Sequence, residues 1–383
     1  MEDVKRAQVI EIKPTKEQQV KLNRMFLQTQ ALYHWALETN QRMYADWKED
    51  NSNAYPSYVS MSREYTKVKP ECANMLPRST ASRAIRNLCT AVSNHLKNPE
   101  HFKIPDFTKK RDIKKYTMYV DNAHSYVKQK KVYFPKVGLI KLTENLRWSE
   151  EPKAYSFKWY AGKYWVTIQF SIPKPILCNN DSVAGVDVGL KHIAVTSDNV
   201  VLDYPASADK ARVSIKRQQR ILSRKQEGSN NFNKQLIKLQ RAQLKRENIL
   251  HDVNHKFTTN LCKTHAIIVM EDLHLAELTE KSPHYMRAKF AESQMKQIHF
   301  MLDYKATRAI HCDRYFASSK TCSHCGNIKK DLQLSDRTYT CEACDFTVDR
   351  DLNAALNLKN YAVGLVKPDQ INFILSNRLR MGR

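Results

Sequence analysis

Ala184-Gly185-Val186-Asp187-Val188-Gly189-Leu190, running on through Lys191-His192-Ile193-Ala194-Val195 to Thr196, is the stretch whose reading decides the fold. Val183, Val186, Val188, Leu190, Ile193, Ala194 and Val195 make it too apolar for an exposed strand, so it predicts a buried strand that turns and returns, with one carboxylate mid-strand. A buried Asp without a partner costs on the order of several kcal/mol, or shifts its pKa until it neutralises. Asp187 must therefore face a cation or a hydrogen-bonding cluster. Gly189 allows a close backbone approach or a tight turn. Taken alone, Gly-x-Asp-x-Gly also occurs in ATPases and in ordinary turns.

The rest of the chain narrows the choice. Its 383 residues suffice for two to three domains. Sixty-three Lys and Arg against 39 Asp and Glu leave a formal net charge of +24, far more than solubility asks, and predict a polyanionic partner. No run reaches the roughly 18 consecutive apolar residues of a spanning helix, which favours nucleic acid over a membrane. Met1-Glu2-Asp3-Val4-Lys5-Arg6 is polar and not an apolar leader, so the expected location is intracellular. Of nine cysteines, Cys72, Cys89, Cys178, Cys262 and Cys312 are scattered and read as buried small apolar residues.

The other four form a pattern. Cys322-x-x-Cys325, fifteen intervening residues and Cys341-x-x-Cys344 have the spacing of a four-thiolate zinc ribbon, whose closed coordination makes the metal structural. Five residues beyond Cys344 comes Asp349-Arg350-Asp351, opening a helix with an Ala/Leu face. Between the two acids, Asp351 is the candidate ligand and Asp349 the cap. His265-Ala266-Ile267-Ile268-Val269-Met270-Glu271 repeats the theme of an apolar strand ending in a carboxylate. Asp187, Glu271 and Asp351 are thus three carboxylate stations 84 and 80 residues apart. Brought together they cannot all stay ionised without a cation, and hard oxygen donors select Mg2+ or Mn2+. Two such ions would support in-line phosphodiester hydrolysis, with Asp187 bridging both and Glu271 and Asp351 completing one site each.

Upstream, Val4 to Ile12 reads as a strand, Thr15 with Gln18 as a capping box, and Thr15 to Trp47 as a helix, most of whose aromatics, Phe26, Tyr33, Trp35, Tyr44 and Trp47, pack a core. Further helices are predicted over Ser60–Val68 and Ser79–Leu96. Short strands follow at Lys103–Phe107, Tyr116–Val120, Lys131–Phe134, Leu139–Leu142, Ser156–Trp159 and Tyr164–Ile172, and suggest a small barrel. The runs Lys109-Lys110-Arg111-Asp112-Ile113-Lys114-Lys115 and Lys128-Gln129-Lys130-Lys131 make it basic. Two long helices, Ala206–Lys225 and Phe232–Cys262, carry cationic stripes that include Arg212, Arg224, Arg241 and Arg246, with Arg224 a candidate nucleic-acid contact.

AGVDVGLKHIAV, IIVMEDL, SSKTCSHCG with CEAC, and DRDLNAALN resemble, in order and spacing, the successive motifs of the transposon-encoded TnpB nucleases, relatives of the type V CRISPR effectors. The resemblance implies an α/β multidomain fold: an RNase H-like (RuvC) nuclease domain with an inserted zinc ribbon, preceded by a wedge-type β-barrel carrying a helical insertion. The implied boundaries are 1–14 and 101–178 for the barrel, 15–100 for the helical recognition insertion, 179–312 and 346–365 for the nuclease domain, 313–345 for the ribbon and 366–383 for a loosely ordered tail. It implies an RNA-guided DNA endonuclease, cytoplasmic in a prokaryotic cell and nucleoid-associated when bound to DNA, with two Mg2+ or Mn2+ ions, one structural Zn2+ and a guide RNA from the transposon end. Its target is double-stranded DNA beside a short target-adjacent motif, bound by a monomer with one RNA. Asp187, Glu271 and Asp351 match the catalytic positions, Arg78, Ser82, Arg83 and Asn122 resemble positions near the target-adjacent motif, and Arg337 resembles an arginine at the scissile phosphate. Two other functions share most of these features: an RNA-guided, nuclease-inactive transcriptional regulator, and a guide-independent accessory nuclease of transposition. Ala291-Glu292-Ser293 and Tyr304–Cys312 depart from the family pattern and bear on how the intervening helix meets the nuclease sheet.

Overall fold

The computed structural model describes residues 3–107, 116–121, 123–178, 180–313, 316–333 and 336–365. The basic run Lys109–Lys115, Asn122 and the tail from 366 lie outside the described residues. The chain forms two compact units, one holding the chain up to Pro173 with Arg217–Arg241, the other Lys174–Lys216 with the chain from Ala242 onward.

The first unit begins with β1 (Asp3–Lys13), α1 (Lys16–Glu49), α2 (Tyr58–Val68) and α3 (Arg78–Lys97). It continues through β2 (Tyr116–Asp121), β3 (Val127–Lys128), β4 (Lys131–Phe134), β5 (Gly138–Leu142), β6 (Ala154–Tyr160) and β7 (Lys163–Pro173). The strands form an antiparallel sheet in the order β2-β6-β7-β1-β5-β4-β3. Its longest ladder pairs β1 with β7 from Asp3↔Pro173 to Ile12↔Tyr164, and β1 alternates so that Gln8, Ile10 and Ile12 point into the core. Phe134 and Phe157 meet edge to face there, with ring centroids 4.4 Å apart. Thr15 and Gln18 cap α1 reciprocally, as the sequence predicts.

One expectation changes in this unit. Lys103–Phe107 forms no strand; Pro105 cannot donate to a ladder, and Phe107 instead sets its ring edge against His34, centroids 5.4 Å apart. Of the α1 aromatics only Phe26 is fully buried, whereas Tyr44 and Trp47 stack outside the core with Tyr55. Arg241, exposed as its stripe predicts, also bonds within the protein. Its Nε donates to the Ala161 carbonyl at the β6–β7 turn, and Gln240 accepts from the Ala161 amide.

The second unit contains β8 (Val183–Asp187), β9 (Ala194–Thr196) and β10 (Val201–Leu202). From β10 the chain enters α4 (Ala206–Ser223) and α5 (Asn230–Thr264), which also run through the first unit. Then come β11 (Ile267–Met270), α6 (Leu275–Lys281), α7 (His284–Glu292), α8 (Met295–Lys305) and β12 (Arg308–His311), and finally β13 (Thr338–Thr340), β14 (Thr347–Asp349) and α9 (Arg350–Leu365). The main sheet has the order β10-β9-β8-β11-β12, with β8, β9 and β10 antiparallel and β8, β11 and β12 parallel.

Both faces of this sheet are covered, which is why IIVM reads as an unbroken apolar run. Ile268 and Met270 pack on one side with Leu250 and Leu261 of α5 and Ile298 and Leu302 of α8. Ile267 and Val269 pack on the other with Leu358 and Ala362 of α9. So α8, flanked by the departures from the family pattern, still seats its apolar face on the sheet. Of the scattered cysteines, Cys262 and Cys312 are buried, while Cys72, Cys89 and Cys178 are only partly so.

The close backbone approach lies at Gly185 and not at Gly189. A Cβ on Gly185 would stand 2.0 Å from the Ala355 carbonyl oxygen and 2.6 Å from the Lys359 amide, so α9 crosses β8 on bare backbone. A Cβ on Gly189 would meet only the His192 carbonyl, at 3.2 Å.

Candidate functional site

Asp187 is the last residue of β8, not mid-strand; β8 ends there because the chain leaves the sheet through Val188 and Gly189 before returning in β9, where Val195 pairs with Asp187. Glu271 follows β11 directly, and β8 and β11 run parallel side by side, so both carboxylates leave the sheet at the same end. Asp351 sits in the first turn of α9, the helix that crosses β8. Asp349 accepts hydrogen bonds from the Asp351 amide at 2.9 Å and the Leu352 amide at 3.2 Å, and so caps the helix while the Asp351 side chain stays uncommitted to that task.

The three acids share one electrostatic environment. Burial pushes the Asp187 carboxyl well above its usual range, and the negative charges of Glu271 and Asp351 push it further in the same direction. Arg350 and the Val188 amide oppose them without reversing the shift. Arg350 is itself held by the carbonyls of Gln333 and Asp336, at 3.0 and 3.4 Å from its Nη1. Glu271 opens onto a cavity of about 250 Å3 lined also by Asp272, Glu277 and Asp313. On its other side Glu271 accepts a hydrogen bond from the hydroxyl of buried Ser318. Burial, with Glu271 nearby, also pushes the Cys312 thiol up to about 12, so this cysteine stays protonated.

Cys322, Cys325, Cys341 and Cys344 bring their sulfurs within 4.8 Å of one another, and among the described residues no other group of three or more His, Cys, Asp or Glu is so tight. The Cys322–Cys344 and Cys325–Cys341 sulfurs are 3.8 and 3.5 Å apart. A tetrahedron with Zn–S bonds of about 2.3 Å has edges of about 3.8 Å, so the four thiolates fit one zinc ion.

Two asparagines on α9 escaped the sequence reading. Asn353 donates to the Thr321 carbonyl at 2.7 Å and accepts from the Ser323 amide at 3.0 Å. Asn357 donates to the carbonyls of Ser318 and Thr321, at 2.7 and 2.6 Å. Both are buried on the helical face that also carries Ala354 and Leu358. Their spacing of four residues, opposite a polar knuckle, was the available signal.

Of the remaining candidates, Arg78, Ser82 and Arg83 line one cavity of about 410 Å3 with Tyr58, Arg86 and Tyr119. Arg83 stacks on Tyr119 and Arg86 on Tyr58, at 4.6 and 4.2 Å from the ring centres. Arg224 is exposed in the turn after α4. Arg337 is exposed and lines a separate cleft of about 820 Å3 in the second unit, with Lys191, Arg212, Arg246, Lys289 and Tyr285. Arg246 is committed there to Glu292, 3.8 Å away.

Fold and site define a class: α/β proteins in which a four-cysteine ribbon is set ahead of the last helix of a mixed-sheet domain. Family models described as "Probable transposase" (OrfB, IS605 type) and "Cas12f1-like, TNB domain" match residues 168–282 and 296–358, and one described as "Helix-turn-helix domain" matches residues 1–49. Over that last range this chain forms a strand and one 34-residue helix. The chain thus carries domains of the OrfB IS605 (TnpB) type. It is 28% identical to a "Putative RNA-guided DNA endonuclease" of Streptomyces pristinaespiralis, over 94% of this chain and 89% of that protein. It is 26% identical to the "Putative RNA-guided DNA endonuclease InsQ" of Escherichia coli K12, over 74% of each. Among solved structures, Cas12f1 in complex with sgRNA and target DNA aligns over 93% of this chain and 99% of its own, with a TM-score of 0.36 and 16% identity. CasPhi-2 bound to crRNA aligns over 94% and 98%, with a TM-score of 0.47 and 9% identity.

Proposed function

We propose that the chain is an RNA-guided DNA endonuclease that cuts by metal-dependent phosphodiester hydrolysis. The observation that carries this reading is the meeting of Asp187, Glu271 and Asp351, from the ends of two neighbouring strands and the start of a helix. The strand order supports an RNase H-like (RuvC) domain, three antiparallel strands continued by two parallel ones.

The donor chemistry fits hard divalent cations. An acid whose two neighbours are also acids, at the edge of a cavity lined by further carboxylates, is stabilised in its charged form only by a cation. Two Mg2+ or Mn2+ ions held there would supply an activated water and stabilise the leaving 3′ oxygen. Asp187 would hold both ions, Glu271 and Asp351 one each. Arg350 tempers the local negative charge, and the Asp349 cap leaves Asp351 available as a ligand. One structural zinc on Cys322, Cys325, Cys341 and Cys344 would fix the ribbon against α9.

Guide RNA from the transposon end would supply sequence specificity by base pairing, while protein holds the heteroduplex by its backbone. The cleft of Lys191, Arg212, Lys289, Arg337 and Tyr285 suits a phosphate backbone with an unstacked base, and Arg78, Ser82 and Arg83 suit recognition of a target-adjacent motif. In this reading residues 1–14 and 101–178 form the wedge-type barrel, 15–100 the recognition insertion, 179–312 and 346–365 the nuclease domain and 313–345 the ribbon. The particle is one chain with one RNA.

The test is to express the protein with its flanking transposon DNA, sequence the bound RNA and challenge the complex with a guide-matched plasmid library, with and without magnesium. Magnesium-dependent cutting beside one short motif is the expected result. Bound RNA with target binding but no cutting would replace this reading with a regulator.

A further inference from the structure

Ser318 stands four residues ahead of the first zinc-ligand cysteine, is 3% exposed, and donates its hydroxyl hydrogen to Glu271 Oε1. A buried hydroxyl has cheaper options than a carboxylate, such as a backbone carbonyl one turn away; Thr321 takes that option, donating to the Ala317 carbonyl at 2.8 Å. Ser318 can reach Glu271 because its own backbone is tied down. Asn357 of α9 holds the Ser318 carbonyl at 2.7 Å, and Asn357 and Asn353 together hold Thr321 and Ser323 on either side of Cys322. The thiolate knuckle, the helix that presents Asp351 and the hydroxyl that grips Glu271 are thus one hydrogen-bonded block.

We propose that Ser318 is a positioning residue: it fixes one oxygen of Glu271 so that the other is aimed at the metal-binding centre, and it makes that aim depend on a folded ribbon. This rests on the reading of Glu271 as a metal ligand. The physical need is plain. Glu271 follows β11 in a segment without helix or ladder bonds, and its long side chain would otherwise spread over several rotamers. A carboxylate accepts at up to four lone-pair positions, so the serine takes one and leaves the rest for a cation. Hydrogen-bond partners that orient a metal ligand characteristically change metal affinity or activity by about 10–100-fold when removed.

The experiment compares wild type, Ser318→Ala, Ser318→Thr and Glu271→Gln as RNA-loaded full-length protein. Mn2+ binding is read from the loss of the free-ion paramagnetic resonance signal, and cutting of a guide-matched plasmid is followed against Mn2+ concentration. Ser318→Ala should bind Mn2+ about 10–100-fold more weakly and regain cutting as Mn2+ is raised, while Ser318→Thr stays near wild type and all four carry equal zinc and RNA. Wild-type Mn2+ affinity in Ser318→Ala, with Glu271→Gln impaired, would overturn the proposal alone. Wild-type binding and cutting in Glu271→Gln would overturn the ligand reading and the proposal with it. If Ser318→Ala loses zinc, Ser318→Cys decides by the same readouts, since it keeps the volume and weakens the donor.

Discussion

Gly185 lies directly under Ala355: a Cβ at position 185 would sit 2.0 Å from the Ala355 carbonyl oxygen, closer than any real side chain comes to a backbone atom. This crossing sets the height of α9 over β8 and with it the distance between Asp187 and Asp351, carried two residues after Gly185 and four before Ala355. Gly185→Ala must push helix from strand, and should destabilise the second unit by about 3 kcal/mol. Gly189→Ala meets a single carbonyl at 3.2 Å and should cost much less. Denaturant unfolding of both variants checks this; equal stabilities would contradict the packing account.

Burial and the charges of Glu271 and Asp351 make an ionised Asp187 costly in the fold. Without divalent metal, Asp187→Asn should therefore raise the unfolding midpoint, by about 1 kcal/mol or more, because it removes repulsion from Glu271 and Asp351. Added magnesium should stabilise the wild type and leave the variant unmoved. Thermal unfolding with EDTA and with magnesium measures both effects.

Zinc should be present at one ion per chain, measurable by elemental analysis, and Cys341→Ser should lose it. Apparent binding free energies of structural zinc run to roughly 10–16 kcal/mol, so the loss should unfold the ribbon and free Asn353 and Asn357 from their carbonyl partners. Amide exchange along Ser318–Ser323 reports that release directly.

Glu11 provides the acid-sensitive clamp of the first unit. Burial raises its pKa, but Lys13 and Lys163 together lower it, the latter with Nζ 2.6 Å from Oε2 across the β1–β7 ladder. The folded pKa lies below the ordinary glutamate value, so the clamp's stabilisation is present above that ordinary value and is lost as pH falls through the folded pKa. Glu11→Gln should cost about 0.5–1 kcal/mol at pH 7 and nothing once both states are protonated. Unfolding midpoints across pH 2 to 7, an interval chosen around that titration, test the sign.

Lys289 lines the basic cleft beside Tyr285. Lys289→Ala should weaken DNA binding uniformly across sequences and lower the slope of log affinity against log salt by about 1, read by fluorescence anisotropy over a salt series. An unchanged slope would remove this cleft from the nucleic-acid path.

The carboxylate stations and the thiolate ribbon were legible because each sits in a local pattern: an apolar strand ending in an acid, or cysteine pairs at fixed spacing. The helices of the first unit were legible through caps and periodicity. What escaped depends on partners distant in sequence. Nothing near Gly185 announces that α9 will cross it, and in sequence Gly185 and Gly189 flank Asp187 alike. Arg241 and Arg246 look like members of a solvent stripe, yet one grips a turn carbonyl and the other pairs with Glu292. Lys103–Phe107 alternates like a strand but has Pro105 where a ladder donor is needed. Ser318, Asn353 and Asn357 acquire meaning only when the knuckle folds onto the helix.

The most direct test of the central claim is cutting of a guide-matched plasmid in magnesium by wild-type and Asp187→Ala complexes carrying equal RNA. The account predicts that the variant binds the target as well as the wild type and cuts it roughly a thousandfold or more slowly. Cutting by Asp187→Ala at the wild-type rate would contradict it.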